Sequence, residues 1–275
     1  MPYVGRKRDR GYCRARAGDP EPSGGDLASP TGLVTLYLDL NRRDAWVNMR
    51  ILDKILGRCH PVTGELGYFG LTGWWTSSFS PAERDYMEAA FRTDEMPARA
   101  RPLTRDRGLV TLTTATALLT LLAERLSGRP QDRDLAARVL AQAERRASAE
   151  GDVLGLHSVY HQMIRLHSRW KDDFPDAVDL TLAACHRQIV LAEEAAKALR
   201  QMRPNESLPS HLGYLWATAI LEREGRYERA IELCRQAQSQ GWDGNWPWRI
   251  QCLTRKLYES RSPVKSISSS GITRL

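Results

Sequence analysis

The chain has 275 residues, of which 42% are hydrophobic and 27% charged, a composition typical of a soluble protein with a sizeable core. The N-terminus has basic residues but no apolar run after them, and no apolar segment is long enough to span a bilayer. Five scattered cysteines without a C-x-x-C pair favour a reducing compartment over a disulfide framework. We therefore expect a cytoplasmic protein that does not enter a membrane.

The net charge of +7 is concentrated at the two ends of the chain. Residues 1–20 carry a net charge of +4 and residues 248–275 carry +5, which leaves −2 for the residues between them. Arginine-rich ends can attract phosphates, although solvated tails are the simpler interpretation. Residues 1–31 are rich in Pro, Gly and Ser, so we predict that they are disordered, and we expect 261–275 to be a flexible tail.

Residues 32–102 are predicted to form a smaller N-terminal helical region. Residues 32–40 could be a strand or the approach to a helix, and 44–56 carry a helical stripe of apolar residues. Residues 57–79 are dense in Gly, Thr and aromatic side chains, which indicates a structured loop. A helix should begin after Ser80, because Ser-Pro-Ala-Glu is a capping-box sequence with proline in the first turn.

Residues 103–260 form the second predicted region, which is a succession of helices separated by Gly, Pro and Asp. The predicted helices are 109–126, 132–149, 153–171, 175–202, 212–223, one that begins at Tyr227, and 248–260. The last of them has apolar residues on one side and basic residues on the other. That division is typical of a helix that caps a helical stack.

The hairpin at 211–244 has a repeat-like arrangement of small and large residues. The residues that carry it are Ala217, Thr218, Leu221, Gly225, Tyr227, Ala230 and Ala237. On these residues the segment resembles a tetratricopeptide repeat. It departs from that pattern at Tyr214, which stands for the usual tryptophan, and at Trp242, which stands for the usual proline. A generic helical hairpin with alanines at a close crossing is the alternative.

The resemblance implies an all-α fold of stacked helical hairpins, a tetratricopeptide-like right-handed solenoid. Ala137 and Ala177 precede Ala230 at unequal intervals, so the upstream units would be divergent. The resemblance also implies that a partner protein or an extended peptide binds in a concave groove lined by the first helix of each hairpin. The groove residues would be Gln162, Arg165, Arg169, Trp216, Glu222 and Arg223.

We therefore expect a non-enzymatic binding scaffold, with a regulatory or defence complex as one setting and a homo-oligomer left open. The alternative is a nucleic-acid-binding protein that uses its arginine-rich ends and the basic face of its last helix, Arg249, Arg255 and Lys256. An enzyme would have to use the region 33–100, where no catalytic set of residues converges.

Two groups of metal-ligand residues are present in the sequence. His157 and His161 lie four residues apart on a predicted helix, but they lack a third ligand. Cys59-His60 and Cys185-His186 repeat a vicinal pair, whose side chains rarely reach the same ion. We therefore expect no metal and no cofactor. The aromatic residues of the loop at 57–79 could stack on bases, but a local core is the favoured interpretation.

Overall fold

The computed structural model describes residues 64–106 and 112–261. The predictions for 1–31, for 32–40 and 44–56, for the Cys59-His60 pair and for the tail beyond residue 261 therefore lie outside the described residues. The regular structure within the described ranges is almost entirely helical, so the all-α class is confirmed.

Eleven α-helices follow one another in the described part of the chain. They are α1 (Gly64–Tyr68), α2 (Thr72–Ser78), α3 (Pro81–Phe91), α4 (Ala115–Leu126), α5 (Arg133–Glu150), α6 (Val153–Arg169), α7 (Ala177–Val190), α8 (Ala192–Met202), α9 (Leu212–Arg223), α10 (Tyr227–Ser239) and α11 (Trp246–Arg261). Two short strands, β1 (Leu208–Ser210) and β2 (Trp242–Asp243), form a parallel pair.

The start of α3 confirms the capping box. Ser80 Oγ accepts a hydrogen bond from the Glu83 N–H at 3.3 Å, and the Glu83 carboxylate accepts one from the Ser80 N–H at 2.7 Å. The loop predicted at 57–79 is wrong where the structure describes it, because α1 and α2 lie there. These helices are only five and seven residues long, too short to show a helical period. Trp75 and Phe79 are buried there, and they belong to the same apolar cluster as the helices that follow, so the aromatic residues do not form a separate local core.

The long helix predicted at 175–202 is also wrong, since the chain breaks at Leu191 into α7 and α8. After the break, α8 packs against α6 and β1. Its contacting face consists of small residues, Ala192, Ala195 and Ala196, which are almost completely buried.

The hairpin of α9 and α10 follows the prediction closely. Helix α9 has the predicted bounds, and Gly225 in the turn has a φ of +75°, a conformation that glycine adopts without steric cost. Ala217 and Ala230 are fully buried, as close helix packing requires. Helix α11 begins two residues earlier than predicted, because Trp246 is buried and its indole N–H donates to the Trp242 carbonyl at 2.8 Å.

Helix α6 occupies the centre of the molecule. One apolar cluster runs from Leu66 through α3, α4 and α5 to Val159 and Leu166 of α6. A second cluster begins at Ile164 of α6 and continues through α7 to α11. Met163 packs against both clusters, so the two sides of α6 join them.

Candidate functional site

A polar pocket of about 340 Å³ lies beside the central helix α6. Its walls are the end of α4, the turn after it and one face of α6, and the lining residues are Leu121, Glu124, Arg125, Ser127, Gly128, Gln162, Arg165 and Arg169. We call it the arginine pocket. Three of the predicted groove residues, Gln162, Arg165 and Arg169, meet here, because their spacing of three and four places them on one side of a helix.

Hydrogen bonds from α6 hold the turn that closes the pocket. Ser127 ends α4, and its hydroxyl donates to the Ala123 carbonyl at 2.7 Å. The Gln162 amide donates to Ser127 Oγ at 3.4 Å, and Arg169 Nη1 donates to the Ser127 carbonyl at 3.1 Å. Gln162 is buried, so this wall is fixed in position by contacts within the protein.

The guanidinium groups of Arg125 and Arg165 make none of the hydrogen bonds that hold this turn. Arg165 is half-buried and Arg125 is exposed. Neither side chain donates a hydrogen bond to another of the residues that the structure describes. Burial lowers the pKa of Arg165, and the Glu124 carboxylate opposes that shift. A partly desolvated guanidinium is stabilised by a charged acceptor, and an anion in the pocket would supply one.

Glu124 contributes the negative charge among the lining side chains. Burial raises the pKa of this carboxyl group, while Arg165 and Arg125 lower it. Its carboxylate has neither a hydrogen bond nor a direct ion pair within 64–106 and 112–261. Three arginines and one glutamate give the lining a net charge of +2, so the pocket suits an anion.

The other predicted groove residues, Trp216, Glu222 and Arg223, lie on α9 and do not line this pocket. Trp216 is half-buried and packs against the second apolar cluster. Glu222 accepts a 2.6 Å hydrogen bond from Lys256 of α11. Arg223 is exposed. The structure therefore divides the six predicted groove residues between two places.

The basic residues of α11 have partners within the protein. Lys256 pairs with Glu222, and Arg255 lies 3.8 Å from the Glu259 carboxylate. Arg249 donates to Thr218 Oγ1 at 2.9 Å. These contacts partly neutralise the face that the sequence suggests for nucleic acid.

Three histidines lie in the interior between α6 and α9. The sequence grouped His157 with His161, and the structure adds His211. The rings of His157 and His211 lie 5.0 Å apart, and Trp242 stacks parallel to His157 at 5.5 Å. His157 Nε2, His161 Nδ1 and His211 Nε2 are buried without hydrogen-bond partners. Burial lowers the pKa of His157 to about 4 and that of His161 to about 3.

The described residues contain no group of three ligands arranged for a metal ion. Cys185 is buried while His186 beside it is exposed, so this vicinal pair points in two directions. Burial raises the pKa of the Cys185 thiol to about 12, which keeps it protonated and unreactive.

Sequence reasoning missed the half of the arginine pocket that α4 supplies. Glu124, Arg125 and Ser127 precede a Gly-Arg-Pro turn, which the sequence identified only as a helix end. A basic residue in the last turn of a helix is usually assigned to the helix dipole. Only the packing of α4 against α6 shows that Arg125 and Arg165 share a cavity.

The fold and this site define an all-α protein with a positively charged pocket beside its central helix. A comparison with protein-family models finds no match, and comparisons with curated proteins and with solved structures find no similar protein. Among the described residues no helix is both long and apolar enough to cross a membrane.

Proposed function

We propose that this chain is a non-enzymatic helical-repeat scaffold that binds an acidic segment of a partner protein, with the arginine pocket as its anchoring site. The observation that carries the proposal is Arg165, which lines the cavity half-buried and without a hydrogen bond to any described residue. Charge-assisted hydrogen bonds from arginine to a carboxylate are strong and directional. An acidic side chain of a partner would supply a charged acceptor.

The packing of the helices supports the scaffold part of the proposal. Helix α5 packs against α6, α7 against α9 and α10 against α11, and α4 also contacts α6. In stacked hairpins, the second helix of one unit packs against the first helix of the next. On that arrangement α4 and α6 are first helices of successive units. The pocket between them then lies on the surface that a tetratricopeptide-like scaffold would use for peptides.

Fluorescence anisotropy with the full chain tests the proposal. The probes are two pools of labelled nonapeptides with blocked ends. Every position is randomised except the three central ones, which are all Glu in one pool and all Gln in the other. We expect the Glu pool to bind and the Gln pool not to bind. Arg165→Ala should weaken binding about tenfold or more, because it removes a charge-assisted hydrogen bond.

Arg235→Ala is the matched control for this test. Arg235 is exposed on α10 and lies outside the pocket lining, so its loss removes the same charge without touching the site. Binding of the Glu pool should be unchanged in this variant. An equal loss of affinity in both variants would reveal nonspecific attraction and would contradict the proposal.

A labelled double-stranded oligonucleotide distinguishes the nucleic-acid alternative. Because Lys256 and Arg249 of α11 have partners within the protein, nucleic-acid binding would depend mainly on the arginine-rich ends. Phosphate-driven binding falls steeply as the salt concentration rises. If the oligonucleotide binds more tightly than either peptide pool, with that salt dependence and no effect of Arg165→Ala, nucleic-acid binding replaces the scaffold function.

A further inference from the structure

We infer that the arginine pocket binds a phosphate monoester, carried as phosphoserine or phosphothreonine on the partner segment, in preference to a carboxylate. The inference rests on the proposed function, since it names the chemical group that the scaffold would recognise. Three features of the pocket carry it: the net charge of the lining, the number and direction of the donors, and the concave shape of the cavity. The resident carboxylate of Glu124 provides a test.

The net charge of the lining matches a dianion. Arg125, Arg165 and Arg169 against Glu124 give +2. A phosphate monoester carries about −1.5 to −2 near neutral pH, whereas a carboxylate carries a single negative charge. A carboxylate would leave one positive charge of the lining uncompensated, whereas a dianion would compensate both.

The donors approach the cavity from two helices. Arg125 comes from the end of α4, and Arg165 and Arg169 lie one turn apart on α6. Arg169 donates one Nη1 hydrogen to the Ser127 carbonyl, and its other N–H groups can donate to a ligand. One guanidinium saturates both oxygens of a carboxylate in a single plane, whereas a phosphate monoester offers three terminal oxygens. Three guanidiniums on two helices therefore suit the phosphate.

The cavity favours a terminal phosphate group over a phosphate within a polymer. A phosphodiester has two terminal oxygens and one negative charge, and its chain continues on both sides. A phosphorylated side chain instead reaches a concave site of about 340 Å³ from one direction. The occupant that fits the lining is thus a phosphorylated peptide segment.

Glu124 provides a test of this inference that depends on charge. Its half-buried carboxylate interacts electrostatically with Arg165, and it would repel an incoming anion. Glu124→Gln keeps the shape of the side chain and raises the charge of the lining from +2 to +3. The affinity for the phosphopeptide should increase in this variant. An effect on structure alone would leave the affinity unchanged or lower it.

The experiment is isothermal titration calorimetry of the full chain with three nonapeptide pools. The pools are identical except for the central residue, which is phosphoserine, Glu or Ser, and inorganic phosphate serves as a competitor. We expect the phosphoserine pool to bind about tenfold more tightly than the Glu pool, the effect of one further charge-assisted hydrogen bond. The Ser pool should not bind, and inorganic phosphate should compete weakly.

Two variants of Arg165 keep the test informative. Arg165→Ala should abolish the preference for phosphoserine. Arg165→Lys keeps the charge but loses the planar fork, so it should reduce the preference without eliminating binding. Arg235→Ala should behave as the unmodified chain, and circular dichroism checks that each variant is folded.

The outcomes separate this inference from the proposed function. Equal binding of the phosphoserine and Glu pools, with both lost in Arg165→Ala, overturns the phosphate inference and leaves the scaffold proposal intact. Binding of neither pool by the folded chain overturns both. Binding of inorganic phosphate without binding of the phosphoserine pool indicates a site for a free anion, and it also overturns the inference.

Discussion

His157, His161 and His211 lie together between α6 and α9, each with a ring nitrogen that has no hydrogen-bond partner. His211 Nδ1 accepts a 3.3 Å hydrogen bond from the Tyr214 N–H, so the proton of the neutral ring is on Nε2. Desolvation makes protonation of such rings unfavourable. It lowers the pKa of His157 to about 4 and the pKa of His211 well below its usual value.

The free energy of unfolding should therefore fall as the pH drops from about 6.5 to about 4. In this window the unfolded chain binds protons at these histidines and the folded chain does not, so acid favours the unfolded state. His157 alone should account for a loss of roughly 3 kcal/mol, because each unit of pKa shift corresponds to about 1.4 kcal/mol. Urea unfolding followed by circular dichroism across this pH range measures the loss.

His157→Leu should flatten this pH dependence, because it removes a buried titratable ring and an unpaired nitrogen together. His186→Gln is the control, since His186 is exposed on α7. The control should leave the pH profile unchanged. A His157→Leu profile as steep as that of the unmodified chain would show that burial of this ring does not determine acid stability.

The helical period correctly grouped Gln162, Arg165 and Arg169, because residues on one helix face are neighbours whatever the tertiary fold. It could not add Arg125 from α4 or His211 from the start of α9. These residues reach α6 only through packing between helices that are distant in sequence. The residues of each cluster that lie on α6 were predictable from the sequence, and the residues that come from other helices were not.

At the scale of elements, the capping box at the start of α3 gives a stability prediction. Ser80→Ala removes the acceptor of the Glu83 N–H and should lower the free energy of unfolding by about 1 kcal/mol. Ser148→Ala is the control, because Ser148 is exposed near the end of α5. Urea unfolding of both variants provides the measurement. Equal stability of the two variants would contradict a role for the cap.

Gln188 joins three helices. It lies fully buried on α7, donates to the His157 carbonyl of α6 at 3.1 Å and accepts from the Gly213 N–H of α9 at 2.7 Å. Gln188→Ala leaves the Gly213 N–H without its acceptor and creates a small cavity. We expect a loss of about 2 to 3 kcal/mol in unfolding free energy.

Gln238→Ala, at an exposed position of α10, is the matched control for Gln188→Ala. Urea unfolding should leave the stability of this control within about 0.5 kcal/mol of the unmodified chain. If Gln188→Ala lowers the free energy of unfolding no more than the control does, the junction of the three helices does not depend on this amide.

Helix positions were predictable where capping residues and a long apolar period occur together, as in α3 and α9. They were not predictable where the reason is tertiary. The break at Leu191 allows the alanine face of α8 to pack against α6, and no proline or glycine marks it. The pairing of β1 with β2 joins Leu208 to Trp242, and strands of three and two residues have no detectable sequence period.

At the scale of the whole molecule, α6 explains where the arginine pocket lies. The helix contributes to both apolar clusters, so its backbone is held from two sides while Arg165 and Arg169 face the end of α4. The succession of helices was predictable from the sequence. The central position of α6 was not, because it depends on which side of each helix meets its neighbour.

Site-specific photocrosslinking tests the central claim most directly, because it shows where a peptide binds. Gly128 lines the arginine pocket and Gly73 lies on α2, and a Cβ atom at either position meets no neighbour within 4 Å. The Cβ atom of a photoreactive amino acid therefore fits at either position. The protein is irradiated with the acidic nonapeptide pool, and the captured peptide is quantified by mass spectrometry.

We predict capture from position 128 and not from position 73, with loss of the signal at 128 when Arg165→Ala is introduced. Equal capture at the two positions, or capture at 128 that survives Arg165→Ala, would show that acidic peptides do not bind in the arginine pocket.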